Sequence, residues 1–201
     1  MREIIESVAH QMPLQRNNIR EFLNEVFDRV SKHYNLCRDY QARAAKFGKA
    51  FEICFKVIID ELYSDLEFSF AQNVEFPEAC MDKGGKADFA VLEDMIENRR
   101  VIAIIETKGA ADRIICNDEI KKLSRPGMLR TDTVKKAISN AYQASRAFPK
   151  SLFFIVTSHV PTGGNAKCMC DLAEGDIVDK IVDITNPSDL DEMIKMIRET
   201  L

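Results

Sequence analysis

The sequence lacks a positive excess: 28 Lys and Arg stand against 32 Asp and Glu, a formal charge of −4. That excludes a uniformly basic nucleic-acid binder, but not a local basic groove with the acids gathered elsewhere. Long apolar runs are also missing. Those present fall well short of the roughly 20 residues a membrane helix needs, and the opening residues are polar and helical in pattern, unlike a secretion signal. A cytoplasmic protein with no membrane partner is expected. The six cysteines, at 37, 54, 80, 116, 168 and 170, show none of the paired spacing of a disulfide framework, so reduced thiols are expected. Cys168-x-Cys170, with His159 nearby, is one residue short of a zinc knuckle and has no second pair, so ordinary thiols are the better reading there too. Repeats, low-complexity tracts and linkers are absent.

What remains is an ordinary soluble composition in 201 residues, 46% of them apolar, enough to build one domain spanning 1–201 around a core. Ile19, Phe22, Leu23, Val26, Phe27, Val30 and Tyr34 recur at helical spacing and predict a helix over 17–35. A second helix is expected over 41–63. Alternation at Leu66, Phe68, Phe70 and then Val74, Phe76 suggests one or two strands. A hairpin follows, 87–93 with 101–108. Thr131 or Asp132 is placed to cap a helix over 133–147. "SLFFIVTS" (151–158) reads as an interior strand, 179–185 as a shorter one, and 188–200 as a closing amphipathic helix. The fold expected is α/β, a mixed central sheet flanked by helices, with residues 1–40 as a helical extension.

The hairpin carries the chemistry. Five apolar residues, "VIAII", run straight into Glu106 and Lys108, and Asp88 enters the strand before them. Pairing the strands about a turn centred on Glu97 sets Asp88 opposite Glu106, with Lys108 two residues on and therefore on the same face. Two opposed carboxylates repel, and a divalent cation removes that penalty. Mg²⁺ suits the patch, since it prefers a couple of carboxylates and keeps waters and room for phosphate oxygens. A plainer explanation, a salt-bridge cluster on a hairpin edge, fits poorly with so apolar a strand.

"AD…ETK", Asp88 with Glu106-x-Lys108, resembles the core of the PD-(D/E)XK nucleases, the superfamily that includes most type II restriction endonucleases. Ala87 stands where the motif name has Pro, a position that shapes the chain more than the chemistry. The resemblance covers about residues 45–160. It implies a restriction-endonuclease-like core in which Asp88, Glu106 and the Thr107 carbonyl hold Mg²⁺ (Mn²⁺ as substitute), Lys108 acts on the attacking water, and Glu52 on the preceding helix completes the catalytic set. A pairing of Glu52 with Lys49 or Lys56 is the plainer account of that residue. Gln143 matches a position that is often polar in these enzymes.

The implied activity is site-specific hydrolysis of double-stranded DNA leaving 5′-phosphates, by a homodimer, with a companion DNA methyltransferase. The helix over 17–35 is a candidate dimer face or part of the core. Candidate DNA contacts are Arg43, Lys46 and Lys49, with Arg38, at the entrance to the Glu52 helix; Lys121, Lys122, Arg125 and Arg130 in or around a loop after the catalytic strand; and Asn165 and Lys167 in the glycine-containing loop "PTGGNAK". Met12-Pro13 and Met128 read as exposed apolar residues, for which packing or disorder is the better account than a wedge between base steps. A structure-selective resolvase or repair nuclease with the same core is an alternative, as is a non-catalytic DNA-binding or assembly module.

Overall fold

The computed structural model describes residues 1–82, 85–94, 99–117 and 119–201. In chain order the elements are α1 (Arg2–Gln11), α2 (Ile19–His33), α3 (Tyr40–Leu62), β1 (Ala71–Val74), β2 (Ala87–Asp94), β3 (Arg99–Thr107), β4 (Arg113–Cys116), β5 (Glu119–Lys122), α4 (Thr131–Ala147), β6 (Leu152–Thr157), α5 (Gly164–Ala173), β7 (Lys180–Asp183) and α6 (Pro187–Thr200). They divide into two compact units, Met1–Asp65 with Gly109–Gly127, and Leu66–Lys108 with Met128–Leu201.

The first unit is three helices and a two-stranded ribbon. The α2 stripe expected from the sequence is buried at Ile19, Phe22, Leu23, Val26, Phe27 and Val30, and Phe27 meets Phe47 of α3 edge-on at 5.3 Å. That stripe is core, so it is not available as a dimer face. Asp39 caps α3 by accepting from the Ala42 amide at 2.9 Å. The ribbon, β4 paired antiparallel with β5, is not foreseen in the sequence reading. Three successive links hold β4 to the α2 side. Arg113 forks onto Asp28 at 3.2 and 2.7 Å, the Ile115 amide donates to the Ser31 hydroxyl at 3.2 Å, and Cys116 is joined to Cys37 by a disulfide with a Cα–Cα distance of 5.5 Å. The expectation of six reduced thiols is therefore corrected. The two partners lie 79 residues apart, and the packing of β4 brings them together. Gly109 lies against the Phe51 ring so closely that a side chain there would overlap it.

The second unit is the mixed α/β part. Five strands lie in the order β1-β2-β3-β6-β7. The first three are antiparallel, and β3, β6 and β7 run parallel. β3 is buried from Ile102 to Thr107 because it has neighbours on both sides and helices to pack against. Helix α4 carries the crossover from β3 towards β6, and its stripe is almost wholly small: Val134, Ala137, Ala141 and Ala144 pack in one cluster with Ile104, Phe153 and Ile155.

Several boundaries differ from expectation. Leu66–Phe70 is not strand, and β1 begins at Ala71. Thr131 and Asp132 lie inside the first turn of α4, whose N-cap is Arg130, so neither caps it. The glycine-containing segment read as a loop runs into α5, which begins at Gly164 and places Asn165 and Lys167 on a helix. Lys121 and Lys122 stand in β5, not in a loop. Met128 is fully buried rather than exposed, in keeping with a packing role. The turn centred on Glu97 lies outside the described residues. Among the described residues no helix is long and apolar enough to cross a membrane.

Candidate functional site

Phe89 pairs with Ile105, Ala90 with Ile104 and Val91 with Ala103. This is the register expected from the sequence. It slips by one residue between Val91 and Leu92, which then faces Val101, so the bulge absorbs the offset away from the charged end. One step beyond Phe89, Asp88 comes level with Glu106.

Asp88 Oδ2 accepts two hydrogen bonds from Thr107, one from the backbone amide at 2.7 Å and one from the hydroxyl at 2.7 Å. Among the described residues nothing bonds its other oxygen. Glu106 is only 4% exposed. Its Oε1 accepts from the Lys108 ammonium and from Asn140 Nδ2 at 3.0 Å. Its Oε2 is buried and has no hydrogen-bond partner among the described residues. Burial raises the Glu106 pKa above its ordinary value and the neighbouring Asp88 charge pushes the same way, while Lys108 and Asn140 pull it back. The Lys108 ammonium also donates to the Thr107 carbonyl at 3.3 Å. It thus sits on two of the groups that the resemblance assigns to a metal ion.

β6 fixes the Lys108 backbone. The Lys108 amide donates to the Val156 carbonyl at 2.8 Å, and the fully buried Thr157 hydroxyl donates to the Lys108 carbonyl at 2.9 Å. Sequence reading missed Asn140 and Thr157. The signal for Asn140 was a polar residue beside Ala137 and Ala141 on the α4 stripe. Gln143, one turn further along, is half-buried on the same helix.

Among the described residues no three His, Cys, Asp or Glu side chains gather into a metal-binding group. The patch offers two carboxylates and a carbonyl. A hard, water-retaining cation suits such a set better than zinc. A buried carboxylate oxygen without a partner among the described residues is chemically compatible with a hard cation such as Mg²⁺. Cys168 is exposed and Cys170 buried on α5, both free, so the pair does not converge on a metal.

Glu52 lies in the first unit, where its Oε2 accepts from Lys49 at 2.5 Å. Lys56 is bound to Asp60 instead. Four of the other candidate DNA contacts are already engaged. Lys46 lies 4.4 Å from the Tyr34 ring centroid, Arg43 lies 5.3 Å from that of Tyr40, Arg130 forks onto Asp132 at 3.0 and 2.7 Å, and Lys167 binds Asp171 at 2.7 and 2.6 Å. Arg125, Asn165 and Lys121 are exposed. Neither the protein-family models nor the curated proteins yield a match to the chain.

Proposed function

We propose that the chain is a Mg²⁺-dependent endonuclease that hydrolyses phosphodiester bonds in double-stranded DNA, in the manner of type II restriction enzymes. The observation that carries the reading is the Glu106 carboxylate, buried beside Asp88 and in contact with Lys108, with Oε2 unpartnered among the described residues. An unsatisfied buried oxygen costs about 1–3 kcal/mol, a cost that a bound cation would offset.

Asp88, Glu106 and the Thr107 carbonyl would hold the ion, with Mn²⁺ as a substitute. When bound, Mg²⁺ supplies positive charge to the scissile phosphate and makes a water more acidic. Asp88 is held in place for that role by the two Thr107 donors. Asn140 steadies Glu106 without adding charge. Lys108, with its backbone tied to β6, directs its ammonium at the attacking water and offsets the negative charge that develops on phosphate oxygens. Restriction-type action adds a homodimer, 5′-phosphate ends and a companion methyltransferase to the proposal.

One observation favours the second reading, a catalytically silent DNA-binding module. Lys108 already neutralises Glu106, as an inert pair would. Incubation with plasmid DNA and Mg²⁺, for the native protein and for Glu106→Gln, separates the two. Discrete fragments that vanish in the variant support restriction-type cleavage, and cutting governed by junctions or mismatches indicates a resolvase or repair nuclease. Absence of cleavage on every DNA form leaves the binding module.

A further inference from the structure

The first unit contains a polar pocket of about 480 Å³ lined by Asn35, Cys37, Arg38, Cys116, Asn117 and Lys121. Its walls come from two turns. Asn35 ends α2 in the left-handed region (φ 48°), and Asn117 opens the turn between β4 and β5 in the same region (φ 50°). The Cys37–Cys116 disulfide joins the two walls. Lys121 pairs with Ile114, and residues alternate along β5, so Lys121 and Glu119 lie on the face that carries Cys116. Arg38 is next in sequence to Cys37, and both cations are therefore held at the rim by covalent and ladder bonds.

Two features distinguish this pair from five of the other candidate contacts. Among the described residues neither Arg38 nor Lys121 makes an ion pair, whereas Arg43, Lys46, Lys49, Arg130 and Lys167 are each engaged. None of the described residues that line the pocket is a carboxylate. Two uncommitted cations and two amides on a disulfide-braced wall match a phosphate group: a guanidinium forks onto its oxygens, an ammonium adds a point charge, and Asn side chains donate. All four residues of β5 are exposed, and β4 is anchored by the Asp28, Ser31 and Cys37 links, so the ribbon presents an open strand to a large ligand.

We infer that this pocket grips a backbone phosphate of duplex DNA through Arg38 and Lys121, a contact that positions the substrate without reading its sequence. The choice of DNA among phosphate carriers rests on the nuclease reading; the anion chemistry does not.

The test is duplex binding by fluorescence anisotropy in EDTA, where no cleavage occurs, as a function of salt, for the native protein, for Arg38→Ala with Lys121→Ala, and for Lys195→Ala with Arg198→Ala as a control of equal charge change on α6. Both pocket residues are exposed, so folding should survive, and a thermal melt checks it. Each phosphate contact contributes about 0.9 to the slope of log K against log salt. The pocket variant should bind at least tenfold more weakly with a slope shallower by about 2, and the control should match the native protein. Native-like affinity and slope in the pocket variant would overturn the assignment. So would loss of inorganic-phosphate binding with duplex binding intact, which would mark a small-anion site. A protein that binds through the pocket but never cuts sinks the nuclease reading alone.

Discussion

Asn140 Nδ2 lies 3.0 Å from Glu106 Oε1, the oxygen that Lys108 also contacts, so both donors crowd one side of a carboxylate whose other oxygen has none among the described residues. This one-sided arrangement governs how the site should respond to mutation, pH and metal.

Glu106→Gln should abolish Mg²⁺-dependent cleavage without destabilising the metal-free protein. Burial raises the folded-state pKa above its unfolded value. A carboxyl so shifted contributes stability below the unfolded pKa, near 4.3, and loses that contribution as pH rises through the folded value. The midpoint of the glutamine variant in EDTA should therefore gain on that of the native protein as pH is raised from about 4 to 8. A difference that shrinks over that range contradicts the argument.

Asn140→Ala removes a neutral donor that lowers the Glu106 pKa. The acid limb of the cleavage profile should move to higher pH, and about 1 kcal/mol of stability should be lost. A uniform drop in rate at every pH would mean that Asn140 merely supports the fold.

Lys108→Ala should slow cleavage roughly 10²- to 10⁴-fold, the usual scale for a positioned acid–base group. Mn²⁺ binding, followed by calorimetry, should persist or tighten. The ammonium competes for Glu106 Oε1 and the Thr107 carbonyl, and its loss leaves a buried carboxylate that gains more from a cation. Abolished Mn²⁺ binding would show Lys108 to be part of the cage.

Thr157→Val keeps the shape of a fully buried side chain and deletes both the bond to the Lys108 carbonyl and the one accepted from the His159 amide at 3.2 Å. The rate constant kcat should fall severalfold with KM little changed, and urea melts should lose about 1 kcal/mol. Restored kcat in Thr157→Ser would identify the hydroxyl as the cause.

Reducing the Cys37–Cys116 disulfide should lower stability by about 2–4 kcal/mol, because a link across 79 residues restrains the unfolded chain. Chemical denaturation with and without a reductant, and a Cys37→Ser with Cys116→Ser variant insensitive to it, measure this.

The placement of Asp88 level with Glu106 was legible in the chain once its two strands were paired about a turn. The apolar run does not choose the register, since β3 is buried on both faces from Ile102 to Thr107; the centre assumed for the turn chose it. The α2 and α3 helices were legible from their period of 3.6. Local pattern, however, says nothing about which distant groups meet. Asn140 reaches Glu106 across 34 positions and Cys37 reaches Cys116 across 79, and both meetings depend on how α4 and β4 pack. The short alternation of Leu66, Phe68 and Phe70 carried a strand signal with no strand partner to realise it, since β1 pairs with β2 from Ala71 onward. Periodicity specifies which face of an element is buried. Partner choice is settled by packing, which sums many weak contacts that no single stretch of sequence contains.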